Sequence, residues 1–135
     1  MEKDSTNQFM SFADSEISAI TCGDGIIRIL FSAANVRQHN PENGSRPLEG
    51  YARGVEFILT GTNLEFEDEG LMGRVSFGRA MLDNKWTLQI PLPCSITGRI
   101  AMEISFANQS HLEIEATDLE CRFTGEPNFF ESMAC

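Results

Sequence analysis

Apolar and polar residues alternate with a period of two along most of the chain from residue 26 onwards. The apolar series are Ile27, Ile29 and Phe31; Val55, Phe57 and Leu59; Leu64 and Phe66; Val75 and Phe77; Trp86, Leu88, Ile90 and Leu92; Ile100, Met102, Ile104 and Phe106; Leu112, Ile114 and Ala116; and Leu119, Cys121 and Phe123. Turn-forming glycine, proline, asparagine and aspartate residues stand between them. The pattern predicts an all-β protein, either an antiparallel β-sandwich or a partly open barrel of about 8–10 short strands.

Two regions lack this alternation. Residues 9–20 admit two interpretations, since the spacing of Phe9 and Phe12 suits one turn of helix while the residues after them suit a strand. We therefore expect at most one short helix, near a terminus. Residues 35–50 contain two prolines and an Asn-Gly turn signal, and we expect a long loop there. Loops of that length are usually functional or disordered.

The hairpin near residue 108 has a specific predicted register. A three-residue loop from Asn108 to Ser110 pairs Phe106 with Leu112 and keeps the apolar side chains on one face. This register places Glu103 opposite Glu115 on the outer face, and like charges directly opposite each other destabilise a sheet. We expect compensation from solvent and salt, from an arginine of a neighbouring strand such as Arg122 or Arg99, or from a basic partner.

The length and composition are those of one soluble globular domain. The chain has 135 residues, of which 41% are hydrophobic and 22% are charged. We expect residues 1–8 to be a disordered tail and residues 9–135 to form a single all-β domain. No apolar run approaches the ~20 residues of a membrane-spanning helix, so we expect no membrane association. The first residues lack the features of a signal peptide, which predicts a cytoplasmic protein.

The net charge of −10, from 20 acidic and 10 basic residues, argues against binding nucleic acid through its phosphates. Two interpretations of the charge remain open: solubility at neutral pH, and complementarity to a basic partner. The four cysteines, Cys22, Cys94, Cys121 and Cys135, form neither a CxxC pair nor a zinc-type spacing, so we expect free thiols.

The sequence offers little for catalysis or metal binding. The two histidines, His39 and His111, form no HxH or HExxH pattern, and no nucleophile elbow, Walker loop or GxGxxG motif is present. We therefore predict no catalytic residue, no metal and no cofactor. His111 is expected to face solvent beside the hairpin loop. His39 lies near Arg37 and Arg46, which together suit an anion, and a hydrolase that uses His39 is the least supported interpretation.

We therefore expect a non-enzymatic, acidic β-domain that binds another protein, for example as the neutralising partner of a basic toxin or nuclease. The candidate binding residues are Glu103, Glu113, Glu115 and Glu120, together with Arg37, His39 and Arg46 of the predicted loop. The alternative is a barrel that binds a small apolar ligand. The phenylalanines on the apolar registers, which either pack the core or line that cavity, are Phe31, Phe57, Phe66, Phe77, Phe106 and Phe123. A homodimer is a further expectation, because symmetric pairing protects open sheet edges.

A packed interior predicts that Phe106→Ala lowers the free energy of unfolding by ~3–5 kcal/mol, from lost burial and the cavity left behind. Urea denaturation of the variant and the parent protein measures the difference. A loss below about 1 kcal/mol would instead indicate a side chain that is exposed or lines a cavity.

Overall fold

The computed structural model describes residues 8–38, 48–62, 72–124 and 129–131, which form strands joined by turns. The strands are β1 (Gln8–Gly23), β2 (Ile26–Gln38), β3 (Leu48–Ala52), β4 (Val55–Thr60), β5 (Gly73–Leu82), β6 (Lys85–Thr87), β7 (Gln89–Leu92), β8 (Cys94–Phe106), β9 (His111–Phe123) and β10 (Phe129–Glu131). Their pairings are antiparallel. The predicted all-β antiparallel class is confirmed. None of the described segments is a helix able to cross a membrane.

Six strands close into a barrel. Their order is β2-β4-β9-β8-β5-β1, and β1 returns to pair with β2. The other four strands extend this sheet: β3 lies beside the second half of β2, β10 beside β3, β7 beside the start of β1, and β6 beside β5. Since eight strands already leave a barrel interior just wide enough for side chains, six strands enclose a narrower space.

β1 takes part in both the barrel and its extension because it bends in the middle. Residues 8–11 pair with β7 and with the end of β2, whereas the part from Glu16 onwards pairs with β5 and with the first half of β2. The register shifts between Ser11 and Glu16, and Asp14 adopts a positive φ of 68°. The additional residues form a bulge, which bends a strand and increases its twist.

The bulge is held by a buried hydroxyl group. The Ser15 hydroxyl donates to the Ser11 carbonyl oxygen at 2.7 Å and accepts from the Asn35 backbone N–H at 2.8 Å. Of the two structures open for residues 9–20, the strand is the one observed. The bulge changes the spacing of the inward side chains, so the helix-like spacing at Phe12 belongs to a bent strand.

Three phenylalanines fill the centre of the barrel. Phe12, Phe31 and Phe57 are buried, and their ring centroids lie 4.9–6.4 Å apart. Phe12 meets Phe57 edge to face at 82°, an arrangement that the charge distribution of aromatic rings favours. Phe106 is buried as predicted, and the other apolar positions predicted on β2, β4 and β8 also face the core.

Phe77 does not face the core as predicted but is 49% exposed. Val75 pairs with Phe106 and Phe77 pairs with Ser105, so β5 advances two residues while β8 advances one. This bulge reverses the faces of β5, because side chains alternate strictly only along an unbulged strand. Gly78 consequently points into the core.

Trp86 and Leu88 also lie outside, although the sequence predicts them on one apolar register with Ile90 and Leu92. The chain bends at Leu88, so β6 pairs with β5 and β7 pairs with β1. Trp86 is 44% exposed and Leu88 is 56% exposed, whereas Ile90 and Leu92 are buried. A single alternating run thus divides into two strands with different neighbours.

The hairpin loop between β8 and β9 has the predicted length but begins one residue earlier. The Phe106 N–H donates to the Ser110 carbonyl oxygen at 2.9 Å, which leaves residues 107–109 as the loop instead of Asn108 to Ser110. Gln109 takes the positive φ, at 75°. The Asn108 side chain accepts from the Ser110 N–H at 2.9 Å, a side-chain turn that stabilises this arrangement.

The predicted loop over residues 35–50 is shorter than expected, because β2 continues to Gln38 and β3 begins at Leu48. The outer parts of the predicted loop therefore form a strand pair. Gln8, the last residue of the predicted tail, is the first residue of β1. Several predicted features lie outside the described residues, namely residues 1–7, His39, Arg46, the Leu64 and Phe66 series, and Cys135.

Gly78 gives the first structural prediction. A Cβ atom at this position would lie 2.6 Å from Cβ and Cγ of Phe12, in the middle of the core. Gly78→Ala should therefore lower the free energy of unfolding by about 1–3 kcal/mol through overpacking. Gly23→Ala is the matched control, since nothing lies within 4 Å of its Cβ position. Equal denaturation midpoints for the two variants would contradict the packing of Phe12 described above.

Candidate functional site

The outer face of β5, β6, β8 and β9 holds an open groove of about 440 Å³. Its walls include Trp86 of β6, Met81 of β5, Glu103 of β8, and Glu113 and Glu115 of β9. We call it the outer-face groove. It contains an aromatic ring and carboxylates on neighbouring strands, so it presents both apolar and charged surface to solvent.

Arg79 of β5 contacts two residues that line the groove. Its Nε donates to Oε1 of Glu103 at 2.9 Å, and its guanidinium carbon lies 4.2 Å from the centroid of the Trp86 ring. Arg79 thus joins a charge-assisted hydrogen bond to a cation–π contact. Both contacts hold the Trp86 ring and the Glu103 carboxylate in place.

The acidic residues pair differently from the prediction. Glu103 lies opposite Glu113, and Glu115 lies opposite Ala101, because the β8–β9 register is displaced by two residues. The side chains keep their faces, since a shift of two residues preserves the alternation. Of the three expected sources of compensation, an arginine of a neighbouring strand is observed, but it is Arg79 of β5, which pairs with Glu103, whereas Arg122 pairs with Glu56 of β4.

Glu115 lines the groove from β9. It shares a row of the sheet with Ala101 and Met81, and Trp86 lies on the far side of Met81. The small Ala101 side chain separates Met81 from Glu115. Glu115 is exposed, and no cation within the described ranges lies at ion-pair distance from it.

A chain of hydrogen bonds lies beside the groove. Ser105 Oγ is 3.0 Å from Nδ1 of His111, and Nε2 of His111 is 3.0 Å from Oε2 of Glu113. With Glu113 ionised, Nε2 donates to it and Nδ1 accepts from the serine hydroxyl. His111 is exposed, as predicted, and this order of hydroxyl, imidazole and carboxylate is the one that activates a serine nucleophile.

The local charge of the groove is small. Glu103, Glu113 and Glu115 contribute three carboxylates, and Arg79 and Arg99 contribute two guanidinium groups, which leaves −1 when His111 is neutral. Most of the net charge of −10 therefore lies elsewhere on the chain. Within the ranges that the structure describes, no three His, Cys, Asp or Glu side chains are arranged to hold a metal ion.

The predicted site residues divide into three groups. Glu103, Glu113 and Glu115 meet in the outer-face groove. Glu120 is exposed on the same strand but faces a different region, about 16 Å from Glu115 at ~3.3 Å per residue. Arg37 lies in β2, which borders neither β8 nor β9. His39 and Arg46 lie outside the described residues.

The apolar part of the groove was assigned to the core in the sequence analysis. Asp83 and Asn84 both have positive φ, the conformation of a two-residue hairpin turn. Such a turn places Met81 opposite Trp86 and therefore on one face with Arg79. Because Arg79 is charged, the face that it shares with Met81 and Trp86 is expected to be exposed to solvent. Extending the alternation from Arg79 through this turn would therefore have predicted that Trp86 lies outside.

Comparison with known proteins does not identify a relative. No protein-family model matches the chain, no curated protein gives a significant match, and no solved structure gives one either. The functional interpretation therefore depends on the geometry of the groove.

Proposed function

We propose that this protein is a non-enzymatic binding module that recognises another protein through the outer-face groove. The partner places a basic side chain between Trp86 and the carboxylates of Glu113 and Glu115. A neutralising partner of a basic protein is one form of this function. The observation that carries the proposal is that Trp86 is exposed in the same groove as Glu115, a carboxylate with no cation at ion-pair distance within the described residues.

The exposed apolar side chains favour a protein partner. Trp86 and Phe77 are both nearly half exposed on this face, and Met81 lies between Trp86 and the acidic residues. Tryptophan, methionine and arginine are enriched in protein interfaces, and tryptophan and arginine dominate the energetic hot spots. Arg79 already orients the Trp86 ring, so binding requires less ordering of that side chain.

The charges favour a basic group on that partner. Glu103 is already paired with Arg79, whereas Glu115 is exposed and has no cation at ion-pair distance within the described residues. A guanidinium or ammonium group placed beside Glu115 completes an ion pair, and its apolar stem lies along the groove toward Trp86. The net charge of −10 attracts a basic protein over a longer distance and raises the association rate.

The packing of the interior supports this function over the binding of a small apolar ligand. Phe12, Phe31 and Phe57 occupy the centre of the barrel in mutual contact. A six-stranded barrel is narrower than the barrels that enclose ligands. Phe77, one of the side chains expected to line such a cavity, is exposed on the outer face.

Peptides selected from a random library on the immobilised protein provide the probe. Trp86 is the only tryptophan of the chain, so its fluorescence reports directly on the groove. We expect an excess of arginine and lysine in the selected peptides. Glu115→Gln should weaken their binding roughly tenfold, since hydrogen bonds to charged groups contribute ~1.5–3 kcal/mol. The rate at which the selected peptides associate with the protein should fall with added salt, because the Debye length shortens from ~10 Å at 0.1 M to ~3 Å at 1 M.

Two matched controls distinguish the groove from the rest of the surface. Glu120→Gln removes an exposed carboxylate of the same strand outside the groove, and Leu88→Ala removes an exposed apolar side chain that does not line it. We expect both to leave affinity within twofold, while Trp86→Ala, measured with a fluorescently labelled peptide because this variant lacks tryptophan, reduces it as Glu115→Gln does. Equal losses from a groove variant and its control, or selected peptides without a basic excess, would refute the proposal.

An esterase activity is the second candidate, favoured by the hydrogen bonds that join Ser105, His111 and Glu113. Esterase activity ranks below protein binding for two physical reasons. His111 and Glu113 are exposed, so water screens the charges that would stabilise a transition state. The ring nitrogens are also exchanged relative to the usual triad, because the serine contacts Nδ1 and the carboxylate contacts Nε2.

The two candidates differ in the hydrolysis of an aryl ester such as p-nitrophenyl acetate. We expect equal rates for the parent protein, Ser105→Ala and His111→Ala. His39→Ala is the control for the background that any imidazole contributes. A rate that falls by about 100-fold or more in both Ser105→Ala and His111→Ala, but not in His39→Ala, would replace the binding proposal with general-base catalysis.

A further inference from the structure

Two cysteines that are distant in the sequence lie directly opposite each other in the sheet. Cys94 is the first residue of β8, and its register partner in β9 is Cys121. Both are free thiols. Directly opposite residues point to the same face of an antiparallel pair, and Cys121 is buried in the core beside Phe57. Cys94 is only partly buried, so one thiol of the pair is open to solvent.

The two thiols contact each other. The hydrogen bond between their side chains lowers the pKa of Cys94. Burial raises the pKa of Cys121, and the bond to Cys94 and the negative charge of Glu120 raise it further. Cys121 is therefore the protonated donor and Cys94 the acceptor. The thiol more available to solvent is also the one that ionises more readily, which is the property of a reactive cysteine.

We propose that Cys94 and Cys121 form an oxidisable dithiol that closes into an intramolecular disulfide when Cys94 meets a peroxide. This inference is independent of the outer-face groove, since the pair faces the interior of the barrel. It assigns a modification site to two residues that the sequence analysis treats as separate free thiols.

Hydrogen peroxide oxidises the two thiols to a disulfide in two steps. The Cys94 thiolate attacks one oxygen of hydrogen peroxide; an S–O bond forms, the O–O bond breaks, and hydroxide leaves with the other oxygen. The Cys121 sulfur then attacks the sulfenic sulfur of Cys94, an S–S bond forms, and the oxygen leaves as water with the proton of the Cys121 thiol. The two sulfurs together lose two electrons, and the peroxide gains them.

The backbone geometry suits the closure. Directly opposite residues of an antiparallel pair have Cβ atoms ~4.5–5.5 Å apart, and disulfides span ~3.5–4.5 Å between Cβ atoms. Rotation of the two side chains and a small approach of the strands therefore suffice. The sheet already supplies the alignment, because the β8–β9 ladder runs from Cys94 to Thr97 in one register and β9 is paired with β4 at Cys121.

The test uses the Cys22→Ser, Cys135→Ser double variant, which retains Cys94 and Cys121 as the only cysteines and leaves the buried pair unchanged. After treatment with hydrogen peroxide we expect the intact mass to fall by about 2 Da, for two hydrogens lost. Thiols titrated in denaturant should fall from two to none. Tryptic digestion without reductant should yield one cross-linked species that contains residues 86–99 and residues 100–122, and dithiothreitol should separate it.

A further variant identifies the order of events. With Cys121→Ser added, Cys94 should stop at the sulfenic acid and take up one dimedone. The parent chain supplies the reference, because Cys22 is also partly exposed and reports on the strength of oxidation. The proposal fails if both thiols of the double variant persist at peroxide concentrations that consume Cys22. It fails equally if the only disulfides formed join two molecules.

Discussion

The structure depends on filling a narrow barrel with side chains of the right size. A closed barrel of six strands encloses a narrow interior, and Phe12, Phe31 and Phe57 are buried there in mutual contact. Gly78 faces the Phe12 ring so closely that a Cβ atom would collide with it. The Phe12 ring occupies the space that a side chain at position 78 would need, and this fit determines how β1 can lie against β5.

Bulges reconcile this packing with the alternation of the strands. A bulge that adds an odd number of residues to one strand reverses the two faces beyond it. Met10 and Phe12 of β1 point inward in ordinary alternation, the bulge after them turns Ser15 and Ile17 inward, and the Ser15 hydroxyl compensates for the lost backbone pairing. The bulge of β5 turns Gly78 inward and Phe77 outward. Core packing and surface composition are therefore coupled, because the same bulge that admits Phe12 exposes an aromatic residue.

The outer face and the cysteine pair both follow from strand register. Pairing β5 with β8 and β8 with β9 places Arg79, Glu103 and Glu113 in one row, which brings a cation to a surface that would otherwise carry opposed carboxylates. The same β8–β9 ladder, continued past its own bulge, places Cys94 opposite Cys121. A displacement by one residue would send one member of each pair to the other face and separate both.

The alternation of the sequence was sufficient to predict an antiparallel all-β fold, the inward residues of β2, β4 and β8, and the three carboxylates that share the groove, because alternation is a local property of a strand. It did not predict that Phe77 and Trp86 are exposed, that Arg79 pairs with Glu103, or that two cysteines meet. Bulges and strand neighbours decide those features, and they depend on what the rest of the barrel can accommodate. The sequence determined which side chains alternate, and the closed tertiary structure decided which of them turn inward and which ones touch.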